Sequence, residues 1–338
     1  SNTPQTQRGI KMYERKFEKV DVAAKTETNI SAEDQSQAWD EAIRKVSMDV
    51  AVLPAMVNQP TADEDRNVFA GEDRMLADYV TDTGREGNFF MVMVDRNRDG
   101  NWKALSPCSD YYAAVKPENI YSQLRNVMDH IDCEPVYVFN SLSGGSQELI
   151  LEVNNMESID ETVGMKMEVL LLTSLDRSSN HVLSVRPVTE TGIPIYFQDT
   201  GKGGFNFKVK HTQGAKTEIE NFNQAAAHIV NNWNNKIVPY IKFLNDGELN
   251  EQDVAALLSG IIEDSNLPEK AAKDIETAYK QDWVNVGDNS SNAIKAIATI
   301  CQYNEDNSKS PMDRQRKSEK IGKSIASRVD QLFRKYAE

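Results

Sequence analysis

A chain of 338 residues can bury a full core and has room for one large domain or two unequal ones. Apolar residues make up 39% and charged residues 27%, the balance of an ordinary globular protein rather than a disordered or membrane-embedded one. The formal charge of −14, from 52 acidic against 38 basic residues, argues against indiscriminate adhesion to nucleic acid or anionic lipid; a local basic groove is still compatible with an acidic body.

Three cysteines, Cys108, Cys133 and Cys301, lie far apart and form neither a metal-binding spacing nor a disulfide framework, so a reducing compartment is expected. No apolar run reaches the roughly 18 residues of a membrane span, and no signal-peptide pattern opens the chain. A cytoplasmic protein with no membrane partner is expected.

In chain order, residues 1–30 are polar and weakly periodic and read as an arm. Ser31 caps a helix with Asp34 at its third position; Trp39, Ile43 and Val46 form its apolar stripe, and Pro54 bars continuation. From Asn58 to Gly87 the chain is acidic and rich in turn formers, an exposed loop with a short helix expected near Met75–Tyr79. Phe89–Val94 reads as a buried strand and Trp102–Leu105 as its return. Between them, Asp95-Arg96-Asn97-Arg98-Asp99-Gly100 half-matches a calcium loop, but the twelfth place is Ser106 and the flanks are strands. An Asp-Gly hairpin turn explains the same residues.

Pro117 opens a helix with Ile120, Leu124, Val127 and Ile131 facing inward. Four strand-like runs follow, Pro135–Phe139, Glu148–Val153, Met167–Thr173 and His181–Val188, with Ser143-Gly144-Gly145 turning the first into the second. Gly192–Phe197 and Phe205–Lys210 read as a further hairpin across Gly201-Lys202-Gly203-Gly204. Strands in succession without intervening helices imply α+β: a central antiparallel sheet with helices packed on one face.

Phe205, Phe207 and Val209 alternate with Lys208 and Lys210 until His211 breaks the period. Thr217 and Glu220 then form a capping box for an amphipathic helix through Trp233. Beyond Trp233 the chain is helical, with Asn250 capping Glu251–Glu263 and further helices near Glu269–Lys280, Asn292–Tyr303 and Asp313–Tyr336. The expected organisation is an arm over 1–30, an α+β core over 31–243 and a helical region over 244–338.

No catalytic signature stands out. The four histidines are not spaced with Cys, Asp or Glu as a metal set, and there is no GxSxG, GxxxxGK[ST] or helix-opening GxGxxG. No catalytic residue, metal or cofactor is assigned. Basic residues are more suggestive. Arg186, Lys208, Lys210, His211 and Lys216 could contact phosphates, with Phe205, Phe207 or Tyr112 as stacking rings, the pattern of a sequence-tolerant single-strand binder. The same lysines could instead be solvated strand edges over core aromatics. The final helix carries Arg314, Arg316, Lys317, Lys320, Lys323, Arg328, Arg334 and Lys335, either to contact nucleic acid or to dock on the acidic body.

Several short stretches, in order, resemble a phage/plasmid-like protein family of unknown function. They are Trp39-Asp40-Glu41-Ala42, Leu105–Tyr112 before the helix at Pro117, and Leu142-Ser143-Gly144-Gly145. Val185-Arg186-Pro187-Val188, Lys210-His211-Thr212 and the run Asn292–Thr299 complete them. The resemblance spans roughly Trp39 to Phe333, and departs after Val188, where Thr189-Glu190-Thr191-Gly192 replaces the family's cysteine and Asn-Thr-Leu run. It implies a mobile-element origin and a role inside the host cell in replication, recombination or host takeover. The order of helix, antiparallel strands and long helix is also similar to the core of phage single-strand annealing proteins, which form oligomers. The resulting expectation is a non-enzymatic, oligomeric binder of single-stranded DNA associated with annealing or recombination. The alternative is a phage interaction or structural protein that binds a host protein through an acidic surface.

Overall fold

The computed structural model describes residues 32–54, 56–58, 74–76, 78–80, 86–109, 112–128, 133–141, 144–153, 165–176, 180–198, 206–209, 233–246, 249–288, 290–309 and 311–337. The expected arm and the capping box at Thr217 lie outside them. Helix α1 (Ala32–Val46) leads into an antiparallel sheet in which β5 (Glu86–Asp95) pairs with β1 (Asp49–Pro54), β4 (Asp78–Val80) and β6 (Lys103–Ser109). A small ribbon, β2 (Met56–Asn58) with β3 (Arg74–Leu76), adjoins it in sequence. Helix α2 (Pro117–Met128) then precedes a five-stranded antiparallel sheet ordered β11-β10-β9-β8-β7. Its strands are β7 (Cys133–Asn140), β8 (Ser146–Val153), β9 (Lys166–Ser174), β10 (His181–Val188) and β11 (Asn206–Val209).

The rest is helical. One turn of π-helix at Trp233–Ile237 runs into α3 (Val238–Asp246), followed by α4 (Glu251–Asp264), α5 (Glu269–Lys280), α6 (Asn292–Asn307) and α7 (Pro311–Ala337). The class is α+β, with antiparallel sheets and a helical C-terminal region. No helix among the described residues is long and apolar enough to cross a membrane.

Local chemistry explains most boundaries. Asn250 Oδ1 accepts from Asp253 N at 2.9 Å and Ser291 Oγ from Ile294 N at 3.3 Å, so side chains satisfy otherwise orphaned donors at the starts of α4 and α6. Strand β10 is buried at every position and β9 at every position after Lys166, so both faces of the middle of the sheet are out of water. Leu149, Leu151, Val169, Leu171, Leu183 and Val185 join one core cluster with Trp39 of α1, Leu124 of α2, Leu244 of α3 and Ile325 of α7. Each fully buried aliphatic side chain there contributes about 1.5–3 kcal/mol of transfer free energy. The cluster runs without a break across positions 243 and 244.

Two expectations change. The segment near Met75–Tyr79 forms strands β3 and β4, not a helix, because cross-strand pairing to β2 and β5 outweighs local propensity. Among the described residues, the Gly192–Phe197 segment and β11 are not paired with each other. Gly192 (φ +87°) turns the chain directly after β10, Thr189 Oγ1 accepts from Ile193 N at 3.0 Å, and Pro194 bridges back to Val188. Further along, β11 pairs with the other end of β10, so both segments lie against the same strand.

The Asp95–Gly100 connection is a turn that its own first residue caps. The Asp95 carboxylate is buried and accepts from Asp99 N at 3.3 Å and from Gly100 N at 2.6 Å, while Arg98 and Gly100 take positive φ. Asp95→Ala leaves those two N–H groups unpaired, with an expected loss of about 1–3 kcal/mol of unfolding free energy in a denaturant titration. Calcium at millimolar concentration is expected to leave the wild-type midpoint unchanged, because both carboxylate oxygens already serve the turn.

Candidate nucleic-acid interface

The cations named from the sequence divide according to where their charge is satisfied. Arg186, on β10, is 5% exposed. Its Nε and Nη2 donate to Glu168 Oε2 at 3.1 and 3.0 Å, and its Nη1 lies 3.7 Å from Glu305 Oε1. Arg314, at the start of α7, is equally buried; it pairs with both oxygens of Glu148 on β8 and sits 3.5 Å from Glu305 Oε2. Tyr196 Oη donates to Glu305 at 2.5 Å, and Asn304 Nδ2 lies 3.1 Å from the same hydroxyl. Three carboxylates and two guanidiniums thus share one buried site spanning β8, β9, β10, α6 and α7. Burial works against the charge on both arginines, and the facing carboxylates outweigh it, so each guanidinium is held charged more firmly than usual. Arg186 is therefore corrected from a phosphate contact to an internal counter-ion.

Tyr112 is corrected as well. Its ring is 9% exposed among Met48, Val92, Val94 and Leu175, and its hydroxyl donates to Leu175 O at 2.8 Å. That bond ties the first sheet to the end of β9, and no face is left for a base. Lys208 and Phe207 lie on β11, at the edge of the five-stranded sheet, opposite Val182 and Leu183. Phe205, Lys210, His211 and Lys216 lie outside the described residues.

Helix α7 docks with part of its basic charge and leaves part of it in solvent. Its inward side docks: besides Arg314, Arg328 Nε donates to Asp264 at 2.7 Å across Gly260, where any Cβ would meet the guanidinium. Lys335 Nζ donates to Asp253 at 2.8 Å, and Tyr336 Oη bonds the same carboxylate. The Lys335 ammonium and Tyr336 hydroxyl hold Asp253 below the usual carboxylate range, and Arg328 does the same for Asp264. Most of the acidic Asn58–Gly87 stretch lies outside the described residues.

The opposite side of α7 is different. Arg316, Lys320 and Lys323 are exposed, and none has an ion pair or side-chain hydrogen bond among the described residues. Spacings of four and three residues put them on one face, spanning about 10 Å of axis. Ser327, Gln331 and Arg334 continue that line in solvent, Arg334 leaning 2.9 Å from Asp330. Elsewhere on the same body Lys116, Arg125, Lys166 and Lys295 each meet a carboxylate. Three aligned cations without such partners form the clearest open positive surface on the described chain. All three were visible in the sequence as part of a basic helix; the four-three spacing was the signal that separated them from Arg314 and Arg328.

Comparison with protein-family models, with curated proteins and with solved structures gave no match.

Two outcomes are expected. Removing one partner of the interior site, as in Glu148→Gln or Arg314→Met, lowers unfolding free energy by about 3–5 kcal/mol, while the double variant recovers much of the loss. Denaturant titrations of the four proteins measure that coupling. Asp253 and Asp264 have folded pKa values lowered by their partners, so their stabilisation is present above the unfolded carboxylate value near ~4 and is lost as pH falls through the folded values. Hydrogen exchange is accordingly expected to show the C-terminal turns of α7 loosening in acid before the sheet does.

Proposed function

We propose that the chain is a non-enzymatic phage or plasmid protein that binds single-stranded nucleic acid in several copies, as in annealing or recombination. The phosphates lie along the outward face of α7. The observation that carries this reading is the line of Arg316, Lys320 and Lys323, exposed and without acidic partners on a chain of net charge −14. An acidic protein with so many carboxylates in reach would ordinarily neutralise its cations internally, as it does with Arg314 and Arg328. Cations left in a row favour a polyanion that supplies the missing charge.

A flexible strand can bend its phosphates to a straight row of side chains, whereas a duplex presents them on a fixed helical path. The acidic body repels the rest of the strand, which confines contact to the stripe and makes affinity steeply dependent on salt. Anchoring supports the reading: α7 is fixed at its first turn by Glu148 and near its end by Asp253, so the cations ride on a rigid rod. The mobile-element setting comes from the family resemblance.

Fluorescence anisotropy of a labelled single strand tests this. Three phosphate contacts give a slope of log affinity against log salt of about −2, on a scale of about −0.7 per contact. Arg316→Glu/Lys320→Glu/Lys323→Glu is expected to abolish binding with little change in melting temperature, since these side chains are exposed and make no ion pair or side-chain hydrogen bond among the described residues. Binding by the triple variant equal to the wild type, or a preference for duplex, removes the reading.

A further inference from the structure

We infer that the cleft at the β5–β6 turn receives a single unstacked nucleotide, with Trp102 as the platform for its base; this rests on the single-strand reading and gives it its selectivity. The cleft has a volume of about 720 Å³ and is lined by Arg96, Asn97, Asn101, Trp102 and Lys103 among others. Trp102 is 43% exposed, whereas Trp39 and Trp233 are buried in the core. Its indole therefore presents an aromatic face at the mouth of the cleft.

The surroundings specify what would cover it. Both oxygens of Asp95 are occupied by turn N–H groups, and the Asp99 carboxylate accepts from Asn101 N at 3.0 Å, so both acids are held by the turn while keeping their charge. Lys103 is exposed and has no ion pair among the described residues. The Asn97 and Asn101 amides each donate to the Asp99 carboxylate, which leaves their carbonyl oxygens and second N–H groups for a base edge. A π-surface, two amides and a free ammonium around one polar opening suit a planar, hydrogen-bonding ring that carries an anion. That is a nucleotide.

The site is also pre-organised. Trp102 N donates to Gly100 O at 3.2 Å, and the cap from Asp95 holds the loop that presents the indole. Little ordering remains for the ligand to impose. A base inside a duplex has no free face, so the cleft engages single strands only.

Two readouts on the full chain separate this inference from the α7 reading. Anisotropy of a labelled oligothymidylate reports binding anywhere; indole emission in a Trp283→Phe background, which removes the other well-exposed tryptophan, reports the cleft. Quenching is expected with oligothymidylate, and weakly with thymidine monophosphate, but not with duplex. Trp102→Ala is expected to weaken single-strand affinity about tenfold, and Trp102→Phe to restore most of it. Anisotropy without quenching, or Trp102→Ala binding like the wild type, overturns the cleft and leaves α7 standing. Quenching that survives the triple α7 substitution with affinity unchanged supports the cleft and overturns the α7 reading. Neither signal overturns both.

Discussion

The buried group of Glu148, Glu168, Arg186, Glu305 and Arg314 is the constraint on which the architecture turns. Two guanidiniums cannot stay charged in a dry interior without carboxylates at hydrogen-bond distance, and three carboxylates cannot stay there without the guanidiniums. Every member therefore dictates the position of the element that carries it. Glu148, Glu168 and Arg186 come from adjacent strands whose antiparallel register sets Arg186 opposite Glu168. Glu305 and Arg314 come from α6 and α7, and Ser308, hydrogen-bonded to Asn304, turns the chain between them. Apolar packing brings helices to the sheet in many orientations of similar energy; the ionic geometry selects one.

That selection decides which way α7 faces. With Arg314 locked to Glu148 and Arg328 to Asp264, the rotation of the helix about its axis is set, and Ile321, Ile325 and Val329 point to the core. Arg316, Lys320 and Lys323 then have nowhere to go but solvent. An open positive stripe on a strongly acidic protein is thus a consequence of where the buried pairs fall. One rod carries both sets of charges: the inner ones hold the fold and the outer ones stay in solvent.

The first sheet contributes by a different route. Its link to the rest of the body runs through Tyr112, whose ring fills the space between Val92, Val94 and Leu175, and through Gly144 (φ +75°), packed close against Met48. At the far end of the same β5–β6 hairpin the chain turns on Asp95, and the tight cap leaves Trp102 projecting beside a polar cleft. An aromatic held outside the core is the price of a turn that short.

Periodicity and capping were enough to locate most elements. Strand β10 and helix α5 fall where alternation and helical spacing place them, and Asn250 and Pro117 open their helices because side-chain acceptors and a fixed φ act within a few residues. Such interactions are local, so a linear chain displays them. Which cations are spent was not legible in that way: Arg186 meets Glu168 and Glu305 only after strands and helices have converged from positions up to about 120 residues apart. Nor could alternation reveal that the two segments after Gly192 both pair with β10. Charge neutralisation and strand partnership depend on contacts between distant parts of the chain, and only the folded arrangement supplies them.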